Sequence, residues 1–96
     1  MKKKIRQKRK RKKIEFSLHA PQAKDVCLLG DFNKWNGKKH NFKKGKLGTW
    51  KKSLMLFPGT YEYKYSIDGS WQEDPENSQK CVNVFGTYNN VITIPE

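Results

Sequence analysis

Ile14, Phe16 and Leu18 alternate with Glu15, Ser17 and His19. Apolar side chains at every second position, with polar ones between, predict a half-buried strand. Pro21 ends it. A second short strand is predicted over 26–29, stopped by Gly30, with Phe32 packing inward beneath the turn that follows. Residues 33–48 read as a loop or two very short strands, because Asn36-Gly37, Gly45 and Gly48 are turn formers. Over 50–57 Trp50, Leu54 and Leu56 share one face of a third strand, and Pro58-Gly59 turns the chain. The clearest alternation follows: Tyr61, Tyr63, Tyr65 and Ile67 against Glu62, Lys64 and Ser66. Asp68-Gly69 then signals a two-residue hairpin, since a type I′ turn needs positive φ at both positions. A return strand over 70–72, a loop over 73–78, a brief pairing over 81–84 and a last strand over 91–94, closed by Pro95, complete the pattern. No helical periodicity and no internal repeat is visible. Six to eight short strands with turns between them predict an all-β fold, an immunoglobulin-like antiparallel β-sandwich.

Composition changes this picture at one end only. The 96 residues suffice for one domain, but 34% apolar against 31% charged is a poor balance for a core. The imbalance is local. Residues 1–13 hold ten basic residues and no acid; residues 14–96 hold eleven Lys and nine acids, a net +2. The chain therefore divides into a basic, disordered N-terminal arm over 1–13 and a nearly neutral domain over 14–96. The arm is either a solubilising tail or a polyanion-binding element acting through Lys8, Arg9, Lys10, Arg11 and Lys12. Nucleic acid and an anionic membrane surface are its two candidate partners. No apolar run follows the basic start, so no export signal is read, and no stretch nears the ~20 apolar residues of a transmembrane segment. A cytoplasmic location and free thiols at Cys27 and Cys81 are the matching expectations.

The chemistry-bearing residues argue against catalysis. His19 and His40 have no metal-like spacing with Cys or acids, and neither metal nor other cofactor is expected. Glu73, Asp74 and Glu76 share one loop rather than facing each other across a bond, and Asp74 reads as shaping its Asp-Pro turn. No nucleophile–base set appears. What stands out is aromatic rings beside amide, carboxylate and ammonium groups at turns and strand ends: Gly30-Asp31-Phe32-Asn33-Lys34-Trp35, Tyr61 through Trp71, and Phe85-Gly86-Thr87-Tyr88-Asn89-Asn90. A sugar ring has an apolar C–H face and a rim of hydroxyls, which such groups match. Trp50 and the three tyrosines read as core. Lys64 lies on the face opposite Tyr63 and Tyr65 and is expected to face solvent. From pattern alone Trp35 and Trp71 suit core or surface equally, and Asn89-Asn90 suits a turn as well as a site.

The ordered set Val26-x-Leu28-x-Gly30-Asp31-Phe32-Asn33-x-Trp35, Trp50, Pro58-Gly59, Tyr61-x-Tyr63-Lys64-Tyr65, Asp68-Gly69-x-Trp71, Asp74-Pro75 and Phe85-Gly86-Thr87-x-Asn89-Asn90 resembles carbohydrate-binding module family 48. This is the glycogen-binding domain of the AMP-activated protein kinase β subunit and of isoamylases and branching enzymes. The resemblance spans residues 14–94 and implies an early-set sandwich that binds α-1,4-linked glucan without acting on it. It further implies stacking by Trp35 and Trp71, hydrogen bonds from Lys64 and Asn89, a loop contact from Phe85 where the kinase-linked type usually has Leu, and a lesser contact from Thr87. A glycogen-metabolising enzyme or a kinase is the protein partner it suggests, tethered by the module to the polysaccharide. A shallow site that must dehydrate every hydroxyl implies weak binding, on the order of micromolar to millimolar.

Overall fold

A computed structural model describes residues 10–37 and 40–96. Among these residues eight strands form two antiparallel sheets: β1 (Lys12–His19), β2 (Val26–Gly30), β3 (Lys43–Lys44), β4 (Thr49–Leu56), β5 (Gly59–Ile67), β6 (Ser70–Gln72), β7 (Lys80–Val82) and β8 (Tyr88–Ile94). One sheet has the order β1-β4-β3; the other runs β2-β5-β8-β7, with β6 paired to β5. The only helical piece among the described residues is a 3-10 turn, Asp31–Asn33. No described helix is long and apolar enough to cross a membrane.

The expected alternation builds the core. Phe16 and Leu18 from β1 and Trp50, Leu54 and Leu56 from β4 point inward from one sheet. Val26 and Leu28 from β2 and Tyr63 and Tyr65 from β5 meet them from the other. Phe16 meets Tyr63 edge-on, with ring centroids 5.1 Å apart, and the Trp50 indole donates to the Ala20 carbonyl at 2.9 Å. Phe32 is half-buried and packs on this core. Asp68 (φ +49°) and Gly69 (φ +86°) take the positive angles that a type I′ hairpin requires. The Asp68 carboxylate also accepts from the Lys24 and Asp25 amides at 2.9 and 2.8 Å, tying this hairpin to the start of β2. At Gly30 a Cβ would lie 2.7 Å from the Glu62 carbonyl oxygen, so only glycine lets β2 run this close beside β5 into the 3-10 turn.

Four expectations shift. β1 begins at Lys12 rather than Ile14, because β4 extends far enough to pair Lys12 with Leu56. The Lys12 ammonium is used within the fold, donating to the Pro95 carbonyl at 2.7 Å. Arg11 lies over the Phe57 ring at 5.5 Å and Lys10 is exposed, while Lys8 and Arg9 fall outside the described residues. Over 33–48 one two-residue strand forms, β3, together with a bridge between Cys27 and Asn41. β8 begins at Tyr88, three residues before Val91, so Asn89 and Asn90 are strand residues and not a turn. Asp74 does more than shape a turn: it is buried, and its carboxylate accepts from both core tyrosine hydroxyls. The two cysteines are free thiols, Cys27 buried and Cys81 partly so.

Candidate carbohydrate site

In β5 the tyrosines take the inner face, which leaves Glu62 and Lys64 on the outer face of the larger sheet. Strand register gathers their neighbours. Lys64 lies opposite Leu29 of β2, Trp71 of β6 opposite Ser66, and Asn89 of β8 opposite Cys81 of β7. Together with the connection after β2 and the β7–β8 loop they enclose a cleft of about 850 Å³. Trp35, Lys64, Trp71, Phe85, Thr87 and Asn89, the six residues singled out from the sequence, all line it.

The two indoles form one side. Trp35 follows the 3-10 turn, where Lys34 (φ +54°) and Trp35 (φ +57°) are successive left-handed residues. Each such non-glycine conformation costs on the order of 1–3 kcal/mol and persists only where the surroundings hold it. Here the Trp35 amide donates to the Gly30 carbonyl at 3.0 Å, and its indole N–H to Asp31 at 3.1 Å. The other Asp31 oxygen accepts from the Glu62 amide at 2.8 Å, so one carboxylate joins the Trp35 ring to the sheet. The Trp71 ring stands 6.3 Å from that of Trp35 with 60° between their planes. Trp35 is half-buried; Trp71 is 59% exposed.

Lys64 departs from expectation. It is on the outer face as read, but only 7% exposed. Its ammonium lies 5.9 Å from the Trp71 ring centroid and 3.4 Å from the Thr87 hydroxyl. The alternation of β5 gives the side on which Lys64 stands; it carries no information about the β6 indole and the β7–β8 loop that fold over its stem. An ammonium has three donors. Among the described residues Lys64 finds one acceptor, and that at long range, which leaves donor capacity at the cleft.

The opposite lip is residues 83–87, closed by a 2.8 Å hydrogen bond from the Asn83 amide to the Thr87 carbonyl and turned at Gly86 (φ +83°). Its apolar side chains stand in solvent, Phe85 at 85% exposure. Asn83 was not foreseen. Its side-chain oxygen accepts from the Phe85 and Thr87 amides at 3.0 and 3.2 Å, and its amide donates to Asn89 Oδ1 at 3.0 Å. Asn89 in turn donates to Glu62 Oε1 at 3.1 Å. Both ends of the Asn89 amide are thereby fixed. An Asn three residues ahead of a Gly is an Asx-turn signal, and it was available in Asn83-Val84-Phe85-Gly86. Glu62 also hydrogen-bonds the Cys81 thiol. Partial burial first, then this carboxylate, raises the Cys81 pKa and keeps the thiol protonated.

A family model described as the glycogen recognition site of AMP-activated protein kinase matches residues 12–96, from the first residue of β1 onward. The chain belongs to this family. Among curated proteins, this glycogen-recognition domain is 41% identical over 56 residues to a 1,4-alpha-glucan branching enzyme GlgB of a Nostoc species, a match covering 58% of the chain and 7% of that protein. It is 38% identical over 72 residues to Protein PTST homolog 2, chloroplastic, of Arabidopsis thaliana, and 35% identical over 72 residues to Protein FLOURY ENDOSPERM 6, chloroplastic, of Oryza sativa subsp. japonica. Each of these two matches covers 75% of the chain and 13% of the relative. The domain thus spans a small fraction of the length of the curated relatives it matches. Among solved structures, a maltogenic amylase from S. marinus superposes with a TM-score of 0.77 at 28% identity, over 90% of this chain and 14% of the amylase chain.

Proposed function

We propose that the chain is a non-catalytic module that binds α-1,4-linked glucan, such as glycogen, starch or maltooligosaccharides, in the cleft on the outer face of the β2-β5-β8-β7 sheet. One observation carries this reading: six residues spread over 35–89 of the sequence, from separate strands and loops, line a single cleft with two indoles set at 60°. Rings at that angle suit the curved path of an α-glucan better than a flat ribbon. Trp35 and Trp71 receive the C–H faces of adjacent glucose units. Lys64 and Asn89 hydrogen-bond their hydroxyls, Phe85 closes over them from the lip, and Thr87 adds a lesser contact. Membership of the glycogen-recognition family supports the ligand class, and a relative named as a 1,4-alpha-glucan branching enzyme agrees with it. The biological role that follows is attachment of a partner, a glycogen-metabolising enzyme or a kinase, to the polysaccharide.

The test is titration of the full chain with maltoheptaose, read by tryptophan fluorescence. Saturable binding in the micromolar to millimolar range, changing little with salt, is expected because no ligand charge is involved. Free passage of folded protein through β-cyclodextrin resin overturns the reading. Asn83→Ala is expected to weaken maltoheptaose binding about tenfold, roughly 1.4 kcal/mol, by releasing the lip and the Asn89 amide. Its melting temperature stays within a few degrees of the parent, because the lost hydrogen bonds lie at an exposed loop. Unchanged affinity would show that Asn83 positions nothing.

A further inference from the structure

The smaller sheet carries a charge pattern that glucan binding does not use. Strands β1, β3 and β4 hold six lysines against a single acid, Glu15: Lys13, Lys43 and Lys51 lie in the outward rows, whereas Lys12, Lys44 and Lys52 are in register with inward-facing Leu56, Trp50 and Phe16, and the Lys12 and Lys44 ammoniums donate to the Pro95 and Pro21 carbonyls at 2.7 and 2.9 Å. Lys10, Arg11 and Lys46 flank those strands. Seven of the other eight acids flank strands of the larger sheet, and the eighth, Glu62, lies within it. The sandwich is therefore electrically two-sided, basic on the sheet away from the cleft. Because Phe16, Leu18, Trp50 and Leu54 point inward, Lys13, Glu15, Ser17 and His19 of β1 and Thr49, Lys51, Ser53 and Met55 of β4 point out. Register places Ser17, Lys51 and Lys43 in one row across all three strands. Lysines directly opposed on neighbouring strands destabilise a sheet. Among the described residues the one ion pair, Lys80–Glu73 at 2.8 Å, is on the other sheet and relieves none of this.

We infer that the outer face of the β1-β4-β3 sheet is a docking surface for nucleic acid, on the side of the sandwich opposite the glucan cleft. Strands β1 and β4 give the face a length of about 25 Å, and the two residues of β3 widen it to about 10 Å beside Trp50 and Lys51. Its lysines are interleaved with Ser17, Ser53 and Thr49 hydroxyls, which is the donor set that contacts phosphate oxygens. Of the side chains these strands turn outward, only Met55 is large and apolar, with exposed Leu47 and Phe57 flanking β4. A membrane-adsorbed surface needs more apolar anchors than that, and the core of a protein–protein interface is depleted in lysine. Contacts of this kind grip the backbone, so affinity without base preference follows.

The experiment uses the full chain and a fluorescently labelled single-stranded oligonucleotide, followed by anisotropy from about 50 to 200 mM salt. Binding is expected to weaken steeply over that range. Lys51→Glu lowers affinity about tenfold, and Lys43→Glu with Lys51→Glu reduces the log–log salt slope by about 1.4, two phosphate contacts at about 0.7 each. Lys24→Glu, an equal change of net charge beside the other sheet, alters affinity less than about twofold. Thermal melts of the variants confirm that each is folded. Equal losses for Lys51→Glu and Lys24→Glu would overturn the inference, since net charge alone would then explain them. So would binding indifferent to both, which would assign it to residues outside this face, or binding to phosphatidylserine vesicles with none to the oligonucleotide. Maltoheptaose titration of the same samples reports on the cleft independently, so either surface can fail without the other.

Discussion

Trp71→Ala is expected to remove measurable binding of maltoheptaose while leaving the domain folded. The ring is 59% exposed, so its loss opens no cavity in the core, and exposed substitutions typically shift stability by under about 0.5 kcal/mol. The proposed site gives the same ring two tasks, to present a face for a glucose unit and, at 60° to Trp35, to set the angle between two such units; its centroid also lies 5.9 Å from the Lys64 ammonium. Truncating an exposed indole that anchors a ligand commonly costs 2 kcal/mol or more. A micromolar to millimolar binder holds its ligand with only about 4–8 kcal/mol, so a loss of about 2–3 kcal/mol, some 30- to 150-fold, carries most of that range beyond titration. Trp50→Ala makes the contrast. Trp50 is buried on the inner face of β4, and its truncation is expected to cost about 3–5 kcal/mol of stability, with glucan affinity lost only as the fold is lost. Were Trp71→Ala to bind maltoheptaose within about threefold of the parent, the indole pair would not be the platform.

The contrast between these tryptophans also marks what the sequence reveals and what it hides. Strand alternation places Trp50 on the same face as Leu54 and Leu56, and the fold agrees. Trp71 sits two positions beyond a hairpin turn, in a strand whose three residues give no periodicity; its assignment to the surface rests on a family pattern, not on local physics. Lys64 shows the same limit in reverse. Its side of β5 is legible because period-2 order is a backbone property. Its burial is not legible, because Trp71 and Thr87 cover it from 7 and 23 residues away. At β8, Asn89-Asn90 reads by propensity as a turn. The tertiary structure overrides that propensity by engaging both side chains: Asn89 with Asn83 and Glu62 on the outer face, Asn90 with the Asp74 amide at 2.6 Å on the inner. The start of β1 at Lys12 has the same kind of cause, since the partner strand β4 decides how far the ladder runs.

Asp74→Ala is expected to destabilise the domain by about 4 kcal/mol, lowering the melting temperature by about 15–30 °C at 4–8 °C per kcal/mol. The carboxylate is buried between the two layers. One oxygen accepts from Tyr63 at 2.7 Å and from Tyr65 at 3.1 Å; the other accepts from the Glu76 amide at 2.9 Å. Asn77 closes the network, donating to the Tyr63 hydroxyl at 3.0 Å and to the Val91 carbonyl at 2.9 Å. Alanine strips the acceptor from the charge-assisted bonds of two phenols, leaving Tyr65 only the Ser17 carbonyl at 3.3 Å, and a buried donor left unsatisfied costs about 1–3 kcal/mol. If the network is the cause, Asp74→Ala costs much less in a Tyr63→Phe, Tyr65→Phe background, where no phenol remains to be orphaned. An unchanged cost there, or a loss under about 1 kcal/mol in the parent, would assign the effect elsewhere. The same tyrosines set an alkaline limit. Burial raises both pKa values; the charge of Asp74 adds to the rise at each, while the Asn77 hydrogen bond partly offsets it at Tyr63. In the unfolded chain these phenols release their protons near pH 10; in the fold they keep them well beyond it. Above about pH 10 the unfolded chain binds fewer protons than the folded one, so stability falls by about 1.4 kcal/mol per pH unit for each tyrosine. Denaturant melts from about pH 9 to 11 are expected to show that decline, to which the raised thiols of Cys27 and Cys81 add in the same direction, and Tyr65→Phe makes it shallower by one tyrosine's share.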